Sequence, residues 1–123
     1  MTTVAFVSGH LDLTSEEFEE HYVPKIRAAI QEGASFIVGD ASGADTMAQR
    51  YLKAALYPHV TVYHMLTTPR NNAGFPKVGG YLSDGDRDKA MTKASTTDIA
   101  WVRAGREKSG TAKNLARRAQ LPR

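Results

Sequence analysis

Three short blocks of this 123-residue chain combine glycine with small hydroxyl residues and a nearby charge: Ser8-Gly9-His10-Leu11-Asp12, Val38-Gly39-Asp40-Ala41-Ser42-Gly43-Ala44-Asp45, and Ser109-Gly110-Thr111. Glycine lets backbone N–H groups approach a ligand closely, and a helix that opens at such a turn adds its positive dipole end. Anions and sugars are the ligands this suits. Ser42, with Asp45 three residues on, and Ser109 both read as helix N-caps, so each hydroxyl either closes a helix or, with Thr111, faces a phosphate. Asp45 either complements a helix dipole or accepts two hydrogen bonds from a ribose diol. Arg87 either clamps a phosphate through its guanidinium fork or pairs with Asp84 or Asp88. His10 is a ligand contact or a surface residue. The expected ligand-binding set is Ser8, Gly9, His10, Gly39, Ser42, Gly43, Asp45, Arg87, Ser109, Gly110 and Thr111.

Other chemistries lack their residues. Neither G-x-G-x-x-G nor G-x-x-x-x-G-K-[ST] occurs, no His/Asp/Glu cluster has metal-ligand spacing, and there is no G-x-S-x-G elbow. With no cysteine there is neither a disulfide nor a thiolate metal site. No metal and no cofactor are therefore expected.

The elements that must position these blocks alternate along the chain. Residues 3–8 form a β-branched and aromatic run with no polar alternation, the pattern of a strand buried on both faces of a parallel sheet. Thr14 to Glu17 reads as a capping box, and Phe18, Tyr22, Ile26 and Ile30 recur every four residues to form one helical stripe over 15–31. Pro24 must kink that helix or divide it. Gly33 ends it, residues 35–39 are a second buried strand, and a helix capped at Ser42 runs to Leu56. A third strand spans 59–65. Residues 66–82 carry no periodicity, and with Phe75, Val78 and Tyr81 they read as a functional lid. Asp84 is expected to cap a helix over 85–94, with a strand over 96–102 and a helix over 111–119 to follow. Residues 120–123 are a frayed end unless Leu121 opens an edge strand.

This alternation predicts a small Rossmann-like three-layer α/β/α sandwich with a mostly parallel sheet, as one domain over residues 1–123. Strand-to-helix loops then gather at one edge of the sheet, and ligands bind there. At 41% hydrophobic and 24% charged residues the composition is that of an ordinary globular chain, so disorder is not expected. No apolar run approaches the ~18 residues of a membrane span, and residues 1–4 do not begin a signal peptide. The expectation is a cytoplasmic protein with no membrane partner. Charge is uneven, with seven Lys/Arg against one acid over 103–123. That end, through Lys113, Arg117 and Arg118, either is a solvated helix face or attracts phosphate or nucleic acid.

The sequence 38–48, Val-Gly-Asp-Ala-Ser-Gly-Ala-Asp-Thr-Met-Ala, resembles the G-x-A-x-G-A-D-x-x-A signature of the YspA-like branch of the SLOG superfamily, the Rossmann-type group that includes the DprA and LOG proteins. Arg87-Asp88-Lys89-Ala90-Met91 resembles that branch's R-N-x-x-M, and Ser109-Gly110-Thr111-Ala112 resembles its G-G-T helix. The resemblance implies a site for a nucleotide, a nucleotide derivative or nucleic acid. The last block is also similar to the S-G-T-A-x-E of nucleoside deoxyribosyltransferases and related N-glycosidases, whose glutamate is the nucleophile. Here that position is Asn114, and an amide cannot attack an anomeric carbon. An N-glycosidase or phosphoribohydrolase acting on nucleoside monophosphates would need a relocated carboxylate, with Asp45, Asp98 and Glu107 as candidates. The leading expectation is a protein that binds a nucleotide-derived ligand to sense or sequester it; the alternatives are that hydrolase and a nucleic-acid-binding module. The lid aromatics Phe75 and Tyr81, with the resemblance, suggest a homo-oligomer.

Overall fold

The computed structural model describes residues 2–121. Five parallel strands form one sheet in the order β4-β3-β2-β1-β5, where β1 is Val4–Val7, β2 Ser35–Gly39, β3 Val60–Met65, β4 Lys77–Tyr81 and β5 Thr97–Ile99. Five helices complete a Rossmann-like α/β/α sandwich: α1 Ser15–His21, α2 Val23–Gln31, α3 Ala44–Ala54, α4 Asp84–Ala94 and α5 Gly110–Gln120.

Side chains alternate across the pleat, and this divides the core in two. Ala5 and Val7 of β1, with Phe36 and Val38 of β2, pack beneath α1, α2 and α3 against Tyr22, Ile26, Ala48 and Leu52. The intervening Phe6 and Ile37 face the other way and meet Met91 of α4. Both faces of β1 and β2 are thus buried, which is why those strands read as continuous apolar runs. Among the described residues no helix is long and apolar enough to cross a membrane.

Several boundaries differ from the sequence expectation. The helix over 15–31 is divided, as Pro24 led us to expect: two helices meet at Tyr22, with Pro24 in the first turn of the second, where its missing N–H costs nothing. The capping box is present: Thr14 Oγ1 accepts from Glu17 N at 3.1 Å, and Thr14 N donates to Glu17 Oε1 at 2.9 Å. Ser42 does not cap α3. The cap residue is Gly43 at φ 74°, and a Cβ there would lie 2.3 Å from the Leu11 carbonyl oxygen. Chain crossing, rather than side-chain capping, sets that turn. Ser83 rather than Asp84 caps α4, its hydroxyl accepting from Asp86 N.

Nor is 66–82 a free lid. Its second half is the edge strand β4, and the half before it is tied down by side chains. Gln49 is buried and donates to the Gly39 and Asn71 carbonyls while accepting from Ala73 N, and Asn71 Nδ2 donates to the Asp40 carbonyl at 2.9 Å. Phe75 packs on the core and Tyr81 stacks on Tyr63, and both are partly buried. The last strand, expected over 96–102, is only three residues long because side chains take over the backbone bonds beyond it. Trp101 N donates to Tyr22 Oη and Arg103 N to His10 Nε2. Leu121 closes α5 and starts no strand, and residues 122–123 lie outside the described residues.

Candidate functional site

Strands β1 to β4 are laid down in one direction and β5 returns to the far side of β1, so the chain reverses between β1 and β5. A crevice opens at the carboxyl ends of strands where such a reversal occurs. A cavity of about 320 Å³ lies there, at the small end of the range for small-molecule sites. Nine of the eleven expected residues line it: Ser8, Gly9, His10, Gly39, Asp45, Arg87, Ser109, Gly110 and Thr111. Ser42 and Gly43 do not, and the Ala44 N–H at the start of α3 is taken by the His10 carbonyl at 3.1 Å. Of the two helix starts expected to face a ligand, that of α5 lies in the cavity wall: Gly110 and Thr111 line it, and Ser109 Oγ accepts from Ala112 N.

One side chain holds the two halves of the rim together. Tyr22, fully buried, donates its hydroxyl to the Ser8 carbonyl at 2.7 Å and accepts from Trp101 N at 3.1 Å. The end of β1 is thereby clipped to the chain leaving β5, and burial pushes the Tyr22 hydroxyl up to about 12, so it stays protonated. Gly9 is required beside it, since a Cβ would stand 2.3 Å from Tyr22 Oη. His10 is not a surface residue. It is 3% exposed, and accepting from Arg103 N at 2.8 Å fixes its proton on Nδ1. Burial, then Arg106 and Arg103, lower its pKa and keep the ring neutral. Ser8 lines this cavity, and its Oγ is buried without a hydrogen-bond partner.

The floor is ionic. Asp40, wholly buried, accepts from Arg87 NH1 at 2.8 Å and from Arg70 through its backbone N (2.8 Å) and NH2 (2.9 Å). Arg87 also grips Asp88 Oδ1 with Nε and NH2, and Asp84 lies 3.2 Å from NH1. The ion-pair reading of Arg87 therefore holds, extended to a third partner, Asp40. Burial alone would raise Asp40, but the bonds from Arg70 and the charge of Arg87 outweigh it and hold the carboxyl below the usual range. Asp45 behaves oppositely. Burial pushes it up to about 7 even though the Arg87 charge opposes the rise, because the guanidinium bonds go to Asp40 and Asp88 while Asp45 Oδ2 accepts only from Ala41 N at 3.2 Å. Gly39 makes this crowding possible, since a Cβ would lie 2.5 Å from Asp45 Oδ2.

No family model, curated protein or solved structure matches the chain. The residues themselves must carry the function.

Of the three carboxylates named as catalytic candidates, only Asp45 reaches the cavity. Asp98 is bonded to Arg118 Nε at 3.2 Å and NH2 at 3.1 Å, and Glu107 is exposed on the loop before α5, outside the cavity lining. Arg118 further donates to the Ser95 carbonyl and Arg117 to Asn114 Oδ1, so two of the three cations proposed for nucleic acid are engaged within the fold. Sequence reasoning missed Arg70, Asp40 and the role of Asp88. Arg70 lies in an aperiodic loop and offered no signal. Asp40 stood inside the motif without a role of its own. Asp88 was visible only as a neighbour of Arg87, yet its Oδ2 accepts from Asn114 Nδ2 at 3.1 Å.

Proposed function

We propose that this cavity binds a nucleotide or nucleotide-derived ligand, so that the protein senses or sequesters it. The observation that carries the reading is Ser8 Oγ, buried and unpartnered in a cavity walled on another side by the opening turn of α5. A buried hydroxyl without a partner costs free energy in the free protein, and a ligand hydroxyl or phosphate oxygen would satisfy it. The first amides of α5 and the Thr111 hydroxyl suit a phosphate, and the Asp45 carboxyl suits a ribose hydroxyl. The resemblance to the SLOG superfamily agrees with this arrangement.

Thermal unfolding measured with ribonucleotides at 100 times Kd should show a stabilisation of about 2.7 kcal/mol. Ser8→Ala should leave the free protein as stable or slightly more stable, because the orphan hydroxyl is gone, and should weaken ligand binding about tenfold. Unchanged affinity in that variant would refute the role given to Ser8.

A second reading is favoured by the contact between Asp88 and Asn114. Asn114 replaces the glutamate of the related N-glycosidases, but its amide orients a carboxylate into the same place from α4. Asp88 would attack the anomeric carbon of a nucleoside monophosphate while the carbon–nitrogen bond breaks and the Asp45 carboxyl protonates the departing base, with water then releasing the sugar. Release of free base, followed by chromatography, should fall at least ~100-fold in Asp88→Asn. No base release at high protein concentration would eliminate this reading and leave the binding one.

A further inference from the structure

The charges that line the cavity are balanced, and each cation already has a partner. Three guanidinium groups, of Arg70, Arg87 and Arg106, face three carboxyls, of Asp45, Asp84 and Asp88. Arg87 is bonded to Asp40 at 2.8 Å and Asp88 at 2.9 Å, Arg70 to Asp84 at 2.7 Å, and Arg106 to Asp12 at 3.1 Å. His10 is held neutral, and the first amide of α3 is spent on the His10 carbonyl. One place remains for a phosphate, the opening turn of α5 near the unpartnered Ser8 hydroxyl. A second phosphate would meet Asp84 or Asp88 with no free cation to offset the repulsion. Those same carboxylates are acceptors for hydroxyl or amino groups.

Resting on the nucleotide reading above, we infer that the site selects a ligand with a single phosphate on a donor-rich body and rejects diphosphates, triphosphates and pyrophosphate-linked dinucleotides. The small cavity fits this, and rejection by like charge is specificity built from repulsion rather than from added contacts.

Calorimetric titration of the full chain at pH 7.5 and constant ionic strength tests the inference, with ribose 5-phosphate and the four ribonucleoside monophosphates set against the matching di- and triphosphates and ADP-ribose. The tightest monophosphate should bind at least about tenfold more strongly than its di- or triphosphate. Asp84→Ala, at an exposed side chain, should narrow that gap about fivefold by removing one anion, while Arg70 stays bonded to Asp40. A diphosphate, triphosphate or ADP-ribose that binds as tightly as the best monophosphate overturns the inference and leaves the nucleotide reading standing. An unchanged gap in Asp84→Ala overturns the electrostatic origin given to it. No binding of any probe by the folded protein overturns both.

Discussion

Arg87→Met is expected to lower the free energy of unfolding by about 3–5 kcal/mol, read from urea denaturation followed by circular dichroism. Arg87 is itself buried and shares its guanidinium among Asp40, Asp88 and Asp84. Its removal leaves Asp40, wholly buried, with Arg70 as its one remaining cation. The penalty comes from the desolvated carboxylate left behind rather than from the pair itself, because a buried charge loses its hydration and keeps only what its partners supply. Arg70→Met supplies the comparison. That side chain is 44% exposed, and water can replace part of what it gives, so its loss should cost about 1 kcal/mol. Equal costs for the two variants would show that the network acts as a surface cluster and not as a buried one.

The second large effect is on pH dependence and comes from Asp45. Its carboxyl stands at about 7 in the folded protein against 3.8 as the ordinary value. Between those limits the folded state holds a proton that the unfolded chain releases, so stability falls as pH rises and levels off above about 7. The displacement corresponds to roughly 4 kcal/mol at most. His10 acts in the opposite direction. Its lowered pKa means the unfolded chain binds the proton more readily, so its contribution rises with pH around the ordinary histidine value. Comparison with Asp45→Asn isolates the aspartate, because His10 is common to both proteins. Asn keeps an oxygen for Ala41 N and carries no charge. The variant should match the wild type at pH 4.5 and exceed it at pH 8 by about 2–4 kcal/mol in parallel urea titrations. An identical pH dependence for the two proteins would show that Asp45 is ionised throughout. The expected gain is consistent with the proposal that Asp45 serves a ligand rather than the fold.

Much of this site was legible in the chain because its parts are local. Gly9, Gly39 and Gly110 stand at strand ends or helix starts, and the apolar runs of β1 and β2 announce a parallel sheet whose loops must share one edge. The capping box at Thr14 and the break forced by Pro24 are equally short-range facts, and they appear within a turn of where the residue types place them. Other features failed for one reason. The Ser42 cap gave way to Gly43 because residues 10 and 11, more than thirty positions earlier, crowd that turn. The lid became a strand and a fastened strap because Gln49 and Asp40 reach it from elsewhere in the chain. His10 changed from a loop residue to a buried acceptor through Arg103, ninety-three positions away.

Residue types and spacing thus determined the fold class, the edge of the sheet where the cavity lies and nine of the residues that line it. Hydrophobic period, glycine turns and caps are set by neighbours within a few residues. Only the tertiary structure decided the charge state and allegiance of those residues: that Arg87 serves Asp40, Asp88 and Asp84, that Asp45 is left without a cation bonded to it, that Asp88 rests against Asn114, and that the Ser8 hydroxyl has no partner. Burial and the distance to a partner set an electrostatic interaction, and both are properties of how distant segments meet rather than of the order in which they are written.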